Sequence, residues 1–168
     1  MKRLYLVRHA KSSWSNPELR DFDRPLNKRG KRDAPFMGKL IKEKGIEPDL
    51  IITSPARRAL RTAEYFAEEL SYPNEKIIRD DNLYEAGVND IVNVISGINS
   101  DSETIMLFGH NPGLTDFCNS ISDKYIDNIP TSAVVSLVLK TGQWSDINTN
   151  TCKLEFFEYP KKYLNKDI

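Results

Sequence analysis

The sequence predicts an α/β domain built as a three-layer sandwich, a mostly parallel central sheet flanked by helices. Three observations carry this expectation. Four short apolar runs have the continuity of strands covered on both faces, helix-periodic segments alternate with them, and the 168 residues contain no repeat, low-complexity tract or Gly/Ser linker that would divide the chain. A chain of this length buries roughly 70% of its extended surface, so residues 1–168 read as a single domain.

The first strand is 3–8 (RLYLVR), which runs straight into His9. A helix over 28–44 follows, with Ala34, Met37, Leu40 and Ile41 near one face and Gly45 as its stop. Residues 49–53 (DLIIT) form the second strand. Ser54 then reads as an N-cap, with Pro55 at the first position of a helix over 55–70. KIIRD (76–80) is a weaker strand candidate, and 89–97 a short helix. The third main strand is 104–108 (TIMLF), after which Asn111 and Pro112 open a helix over 112–122. Residues 133–139 (AVVSLVL) supply the fourth main strand, and KLEFFEY (153–159) is a second weaker candidate. Residues 159–168 (YPKKYLNKDI) read as a frayed surface tail. This alternation implies right-handed crossovers, and ligands of such sheets bind outside the carboxyl ends of the strands.

Composition narrows the function classes. Hydrophobic residues at 39% and interspersed charges at 29% describe a globular chain. No apolar stretch reaches the length of a membrane span, and residues 1–20 lack the apolar core of a signal peptide. The expectation is a cytoplasmic protein with no membrane partner. Cys118 and Cys152 show no metal-type spacing and read as ordinary reduced thiols. Zero net charge argues against nucleic acid as a partner. The halves differ, however: residues 1–65 carry 16 Lys+Arg against 8 Asp+Glu, and residues 66–168 carry 8 against 16. The basic part has an affinity for small anions.

Three of the strands end in reactive side chains. The first ends at Arg8-His9, the second leads through Ser54 to Arg57-Arg58, and the third ends at Gly109-His110. Both histidines of the protein thus fall at one sheet edge. Arg58 lies in the first turn of its helix, where free amides and the positive dipole end favour an anion. Arg8 adds a planar fork of donors suited to phosphate oxygens. An imidazole in such a pocket attacks phosphorus only while one ring nitrogen keeps its lone pair. The neighbouring arginines are expected to hold His9 neutral by like-charge repulsion.

In these residues the chain resembles the histidine phosphatase superfamily, also called phosphoglycerate-mutase-like, and within it the small SixA-like phosphohistidine phosphatases. The family's R-H-G signature appears as Arg8-His9-Ala10, its S-x-x-x-R-A-x-x-T segment as Ser54 to Thr62, and its late G-H motif as Gly109-His110. Asp23-Arg24-Pro25-Leu26 with Gly30 matches the segment leading into the first helix. The resemblance implies that His9 is the nucleophile, that Arg8, Arg58 and His110 hold the phosphoryl oxygens, and that neither metal nor cofactor is required. Ala10 stands in place of the usual glycine, so the backbone there need not take a positive φ. Lys11 falls where many phosphoglycerate-processing members carry glutamate, at the pocket mouth. Ser12 and Ser15 fall near positions where the wider family uses Ser and Asn around the phosphate. Glu85 matches the general-acid glutamate of mutases and ester phosphatases, which an alkoxide leaving group needs more than imidazole does.

Three readings stay open at this level. The first is a SixA-like phosphatase acting on a phosphorylated protein such as a phosphotransfer domain. The second is a phosphatase for small phosphorylated substrates with Glu85 as acid, and the third is a non-catalytic phosphate-binding module. The connection from 63 to 103 leaves no room for a large lid, which suits an open site.

Overall fold

A computed structural model describes residues 1–99 and 101–164. Its regular elements are β1 (Lys2–Arg8), α1 (Lys28–Glu43), β2 (Leu50–Thr53), α2 (Arg57–Glu69), β3 (Ile78–Arg79), α3 (Val88–Ser96), β4 (Thr104–Gly109), α4 (Gly113–Ile121), β5 (Val134–Leu139) and β6 (Cys152–Glu158). One sheet runs in the order β3-β2-β4-β1-β5-β6. The β3–β2, β2–β4 and β4–β1 pairs are parallel, while β1–β5 and β5–β6 are antiparallel. The sheet is therefore mixed and mostly parallel, and both weaker strand candidates belong to it.

The alternation of β1 divides the core. Leu4 and Leu6 face one side, where Ile91 and Ile95 of α3 and Leu114, Phe117 and Ile121 of α4 cover the sheet. Tyr5 and Val7 face the other, against Met37 and Ile41 of α1 and Ala63, Phe66 and Ala67 of α2. These are the three layers. At about 25 cal/mol per Å² of apolar surface removed from water, the two clusters are the main stabilising term of the fold. Cys118 and Cys152 are buried free thiols, with burial pushing them up to about 12 and about 11. Among the described residues no helix is long and apolar enough to cross a membrane.

α1 starts where expected: the Asn27 side chain accepts from the Gly30 amide at 2.9 Å, and Gly45, at φ +77°, follows its end. Two expectations need correction. α2 opens at Arg57, with Ala56 at its N-cap. Ser54 and Pro55 form a turn before it, because the Ser54 hydroxyl is engaged by the Ala56 amide at 3.2 Å and by His110. The C-terminal segment is not frayed through Leu164. Pro160 is buried, the Lys162 ammonium donates to the Phe157 carbonyl at 2.7 Å, and the Tyr163 hydroxyl donates to Glu158. The rest of the expected tail, 165–168, lies outside the described residues.

Register places the functional edge. Arg8 pairs with Gly109 across β1–β4, and Thr53 pairs with Phe108 across β2–β4. Residues 9, 54 and 110 therefore leave three adjacent parallel strands side by side.

Candidate active site

His9 is held by its backbone before its ring is considered. Its amide donates to the Gly109 carbonyl at 3.1 Å, and its carbonyl accepts from the Ser132 amide at 3.2 Å. The Ala10 amide donates to the Thr62 hydroxyl at 2.9 Å, which in turn donates to the Arg58 carbonyl at 2.7 Å. Ala10 does not take a positive φ and is packed against Leu26 and Ala34. The turn after β1 is thus tied to α2, the element that carries the second arginine.

The His9 ring is 8% exposed, and its Nδ1 lies 2.7 Å from the Ala10 carbonyl. A carbonyl only accepts, so Nδ1 carries the proton and Nε2 keeps a lone pair. Burial lowers the imidazole to about 3, the Ala10 carbonyl working against it and His110, Arg58 and Arg8 reinforcing it. Desolvation therefore comes first in keeping the ring neutral, and the repulsion by the arginines expected from the sequence comes after it.

His110 faces His9 with ring centroids 5.1 Å apart, and its Nε2 lies 2.7 Å from the Ser54 hydroxyl. Ser54 is fully buried and already accepts from the Ala56 amide, so the acceptor for its own proton is His110 Nε2. That assigns the ring proton of His110 to Nδ1, which is buried and has no protein partner. Burial, then Arg58, brings this imidazole to about 4, against a raising effect of Asp21. The orphan Nδ1–H is a donor waiting for an anionic oxygen.

The two arginines behave differently. Arg8 donates to the Ile129 carbonyl at 3.0 Å, its Nε is buried without a partner, and burial and Arg58 both push its pKa down. Arg58 is 6% exposed and leans on Asp21 by two bonds, Nη1 to the carbonyl at 2.7 Å and Nη2 to the carboxylate at 3.0 Å, while its Nε also lacks a partner. The Asp21 carboxylate further accepts from the Tyr84 hydroxyl at 2.7 Å and from Arg24 at 2.9 Å. Burial pushes Asp21 up, yet these hydrogen bonds outweigh it and hold the carboxyl at about 2. Arg24 completes the frame, bonded to the Ser12 hydroxyl at 2.9 Å and stacked 3.5 Å over Trp14. Two arginines with an unpartnered guanidine N–H each, an imidazole with an orphan N–H and an imidazole with a free lone pair thus act on one another at one sheet edge, which is the equipment of a phosphoryl-transfer pocket.

The remaining candidates lie further out. Ser12 is buried and committed to Arg24, while exposed Ser15 shares its hydroxyl with Ser13 at 2.9 Å. Lys11 lines the groove that begins at Arg8. Glu85 is exposed, stands at φ +56°, and makes no hydrogen bond or ion pair with Arg8, His9, Arg58 or His110. Its neighbour Tyr84 has its ring edge-on to His110 at 5.7 Å. Asp21, Tyr84 and the site role of Ser54 were missed in the sequence. The signal for Asp21 was there, an acid three residues before the Arg24 of a quoted motif; Tyr84 sits beside the residue singled out. No group of three or more His, Cys, Asp or Glu among the described residues is placed to hold a metal ion.

Comparison with known proteins places the chain in a family and matches its fold. The model of the histidine phosphatase superfamily (branch 1) matches residues 4–104. An uncharacterised chloroplastic protein of Arabidopsis thaliana is 33% identical over 129 residues, 72% of this chain and 59% of its own length. A 2,3-bisphosphoglycerate-dependent phosphoglycerate mutase of Bartonella bacilliformis is 33% identical over 104 residues, 60% of this chain and 48% of its own. The chain thus spans about half the length of these curated relatives. A crystal structure provisionally identified as the phosphohistidine phosphatase SixA of Agrobacterium tumefaciens superposes with TM-score 0.80 at 27% identity, covering 95% of this chain and 98% of that one.

Proposed function

Because the chain belongs to the histidine phosphatase superfamily, we propose that it hydrolyses phosphohistidine on a protein, through a covalent phosphoryl intermediate on His9. The observation that carries this reading is the His9 ring, neutral, fixed by the Ala10 carbonyl and presenting Nε2 beside the His110 and arginine donors. In the first step the Nε2 lone pair forms a bond to phosphorus while the bond to the leaving imidazole, already protonated on its other nitrogen, breaks; the leaving nitrogen keeps the electron pair and neutral imidazole departs. Arg8 Nε, Arg58 Nε and His110 Nδ1 hold the phosphoryl oxygens. In the second step water attacks phosphorus, the Nε2–P bond breaks, His9 regains its lone pair, and phosphate leaves with the released proton taken up by solvent.

Two features support phosphohistidine over an ester. Asp21, held at about 2, is ionised at neutral pH and has no proton to give an alkoxide. Glu85 has no bond to the four pocket residues. Between α2 and β4 the chain is occupied by β3 and α3 rather than by a closing insertion, which supports a substrate presented on a protein surface. The relative described as SixA points the same way.

The test is a comparison of kcat/KM on a phosphohistidine peptide, phosphoramidate and a panel of sugar phosphates. Phosphohistidine and phosphoramidate are expected to exceed every ester by about 10²-fold, the size of a missing general acid. His9→Ala is expected to abolish turnover and the acid-labile phosphoenzyme while circular dichroism stays unchanged. Sugar phosphates turned over as well as phosphoramidate, with Glu85→Gln losing only the esters, would replace this reading with the ester phosphatase.

A further inference from the structure

Beside the catalytic pocket lies an open groove of about 380 Å³ that shares Arg8 as a wall. Its cations come from three separate parts of the chain: Lys11 from the turn after β1, Arg29 and Arg32 from the start of α1, and Lys161 from the C-terminal turn. Among the described residues they set, with Arg8, five positive charges against a single carboxylate of the lining, Asp33, which is buried and bonded to Arg32 at 2.8 Å. Lys11 and Lys161 have no carboxylate partner among the described residues. The rest of the lining is Pro130, Tyr159, Pro160 and Leu164 with the polar Asn128 and Thr131.

This arrangement is not what stability alone favours. The first turn of α1 carries no acidic residue, although the positive dipole end of a helix favours acids and disfavours cations there. Zero net charge for the whole chain shows that the excess is local rather than compositional. Such a concentration of one sign in a groove raises the local concentration of anions.

We infer that the groove binds an acidic segment of the phosphorylated polypeptide, next to the phosphohistidine that enters the catalytic pocket. The inference rests on the proposed phosphohistidine phosphatase activity and adds the substrate feature that the enzyme reads. The chemistry of the lining favours a polypeptide over a second small anion. Arg29 and Arg32 already share the Asp33 carboxylate, so the fork geometry suited to a phosphate is partly used. The free charges are lysine ammoniums, point charges that accept carboxylates in many orientations. The proline, tyrosine and leucine part of the lining matches the apolar side chains of a peptide, where a lone phosphate would gain nothing.

The experiment uses two phosphohistidine peptides that differ only in the residues flanking the phosphohistidine, glutamates in one and glutamines in the other, with phosphoramidate as a third substrate. The intact protein is expected to favour the glutamate peptide by about ten-fold in kcat/KM, a ratio that falls as salt is raised. In the double variant Arg29→Gln/Lys161→Gln the ratio falls to about one, while phosphoramidate hydrolysis stays within about two-fold of the parent. Arg32 is left in place because it makes the closer pair with buried Asp33, 2.8 Å against 3.8 Å for Arg29, and keeps that carboxylate compensated. Equal rates on the two peptides, or a preference that persists in the variant, overturn the groove assignment while the proposed function stands. Hydrolysis of phosphoramidate with neither peptide turned over overturns the polypeptide occupant. Failure on all three substrates, with sugar phosphates hydrolysed, overturns the proposed function and the groove assignment with it.

Discussion

Asp21 sits between two guanidiniums and a phenol, and its position decides which arginine is prepared for an anion. Arg58 is aimed by Asp21, whereas Arg8 is aimed by a backbone carbonyl alone. Replacing Asp21 with Asn keeps the shape but removes the charge-assisted bond, worth about 1.5 to 3 kcal/mol. Asp21→Asn should therefore lower kcat/KM by about 10- to 100-fold; steady-state kinetics on phosphoramidate checks this, and an unchanged value would mean that Arg58 aims itself. Ser54→Ala releases the His110 tautomer, and we expect kcat to fall about ten-fold with KM little changed, since a donor lost at the transition state affects turnover more than binding. The two imidazoles also set the pH response. Both are lowered in the folded protein, His9 to about 3 and His110 to about 4, from an unfolded value of about 6.5. Below that value the unfolded chain binds protons that the folded one refuses, so each histidine removes up to about 1.4 kcal/mol of stability per pH unit as the pH falls. Activity, by contrast, should show no histidine limb between about pH 5 and 8, which a kcat/KM profile against pH would reveal.

Two glycines let whole elements approach the site. A Cβ on Gly30, in the first turn of α1, would stand 2.2 Å from the Lys11 carbonyl oxygen, and one on Gly113, at the start of α4, would stand 1.9 Å from the Ala86 carbonyl oxygen. In both cases the obstacle is backbone, so an element must move. Gly30→Ala should displace the turn that follows His9 and cut kcat/KM by about 10²-fold, the cost of roughly 1 Å of misplacement. Gly113→Ala should move the 84–87 turn instead; a lower melting temperature with phosphoramidate hydrolysis kept would show that turn to be structural only. The same elements explain what the sequence could and could not disclose. Strand periodicity located the edge that carries Arg8, His9 and His110, because β1, β2 and β4 are covered on both faces and their apolar runs end abruptly. It missed Asp21 and Tyr84, because the bonds that Asp21 accepts from Tyr84 and from Arg58 span 63 and 37 residues, and both residues lie in turns without a repeating pattern. Ser54 was visible as a residue type, but the choice between capping α2 and orienting His110 depends on the β2–β4 register, which no local pattern encodes. Glu85 was legible as a motif position, and nothing in the sequence signalled its exposure or its left-handed backbone.

The fold as a whole concentrates like charge at one edge of its sheet, and the free protein bears the cost. Arg8 and Arg58 repel each other, each with a buried N–H unpartnered, and Asp21 compensates Arg58 alone. A buried charge without a full set of partners is destabilising, while a dianion that meets both arginines and the His110 donor relieves it. Ligand binding and stability should therefore be coupled strongly. At phosphate about 100-fold above its Kd the folded state gains about 2.7 kcal/mol, a rise in melting temperature of about 5 to 10 °C for a chain of this size. Arg8→Gln separates the two effects. It removes the repulsion on Arg58 and the desolvated charge while leaving an amide that reaches for the Ile129 carbonyl, so the ligand-free variant should melt about 2 to 4 °C above the parent. The same variant should lose nearly all of its phosphate-induced shift, because Arg58 and His110 alone no longer surround the anion. Thermal denaturation of both proteins with and without inorganic phosphate measures all four values. A variant that melts below the parent would make Arg8 a structural residue first, held by its contact with Ile129; a variant that keeps the full phosphate shift would move the anion site onto Arg58 and His110.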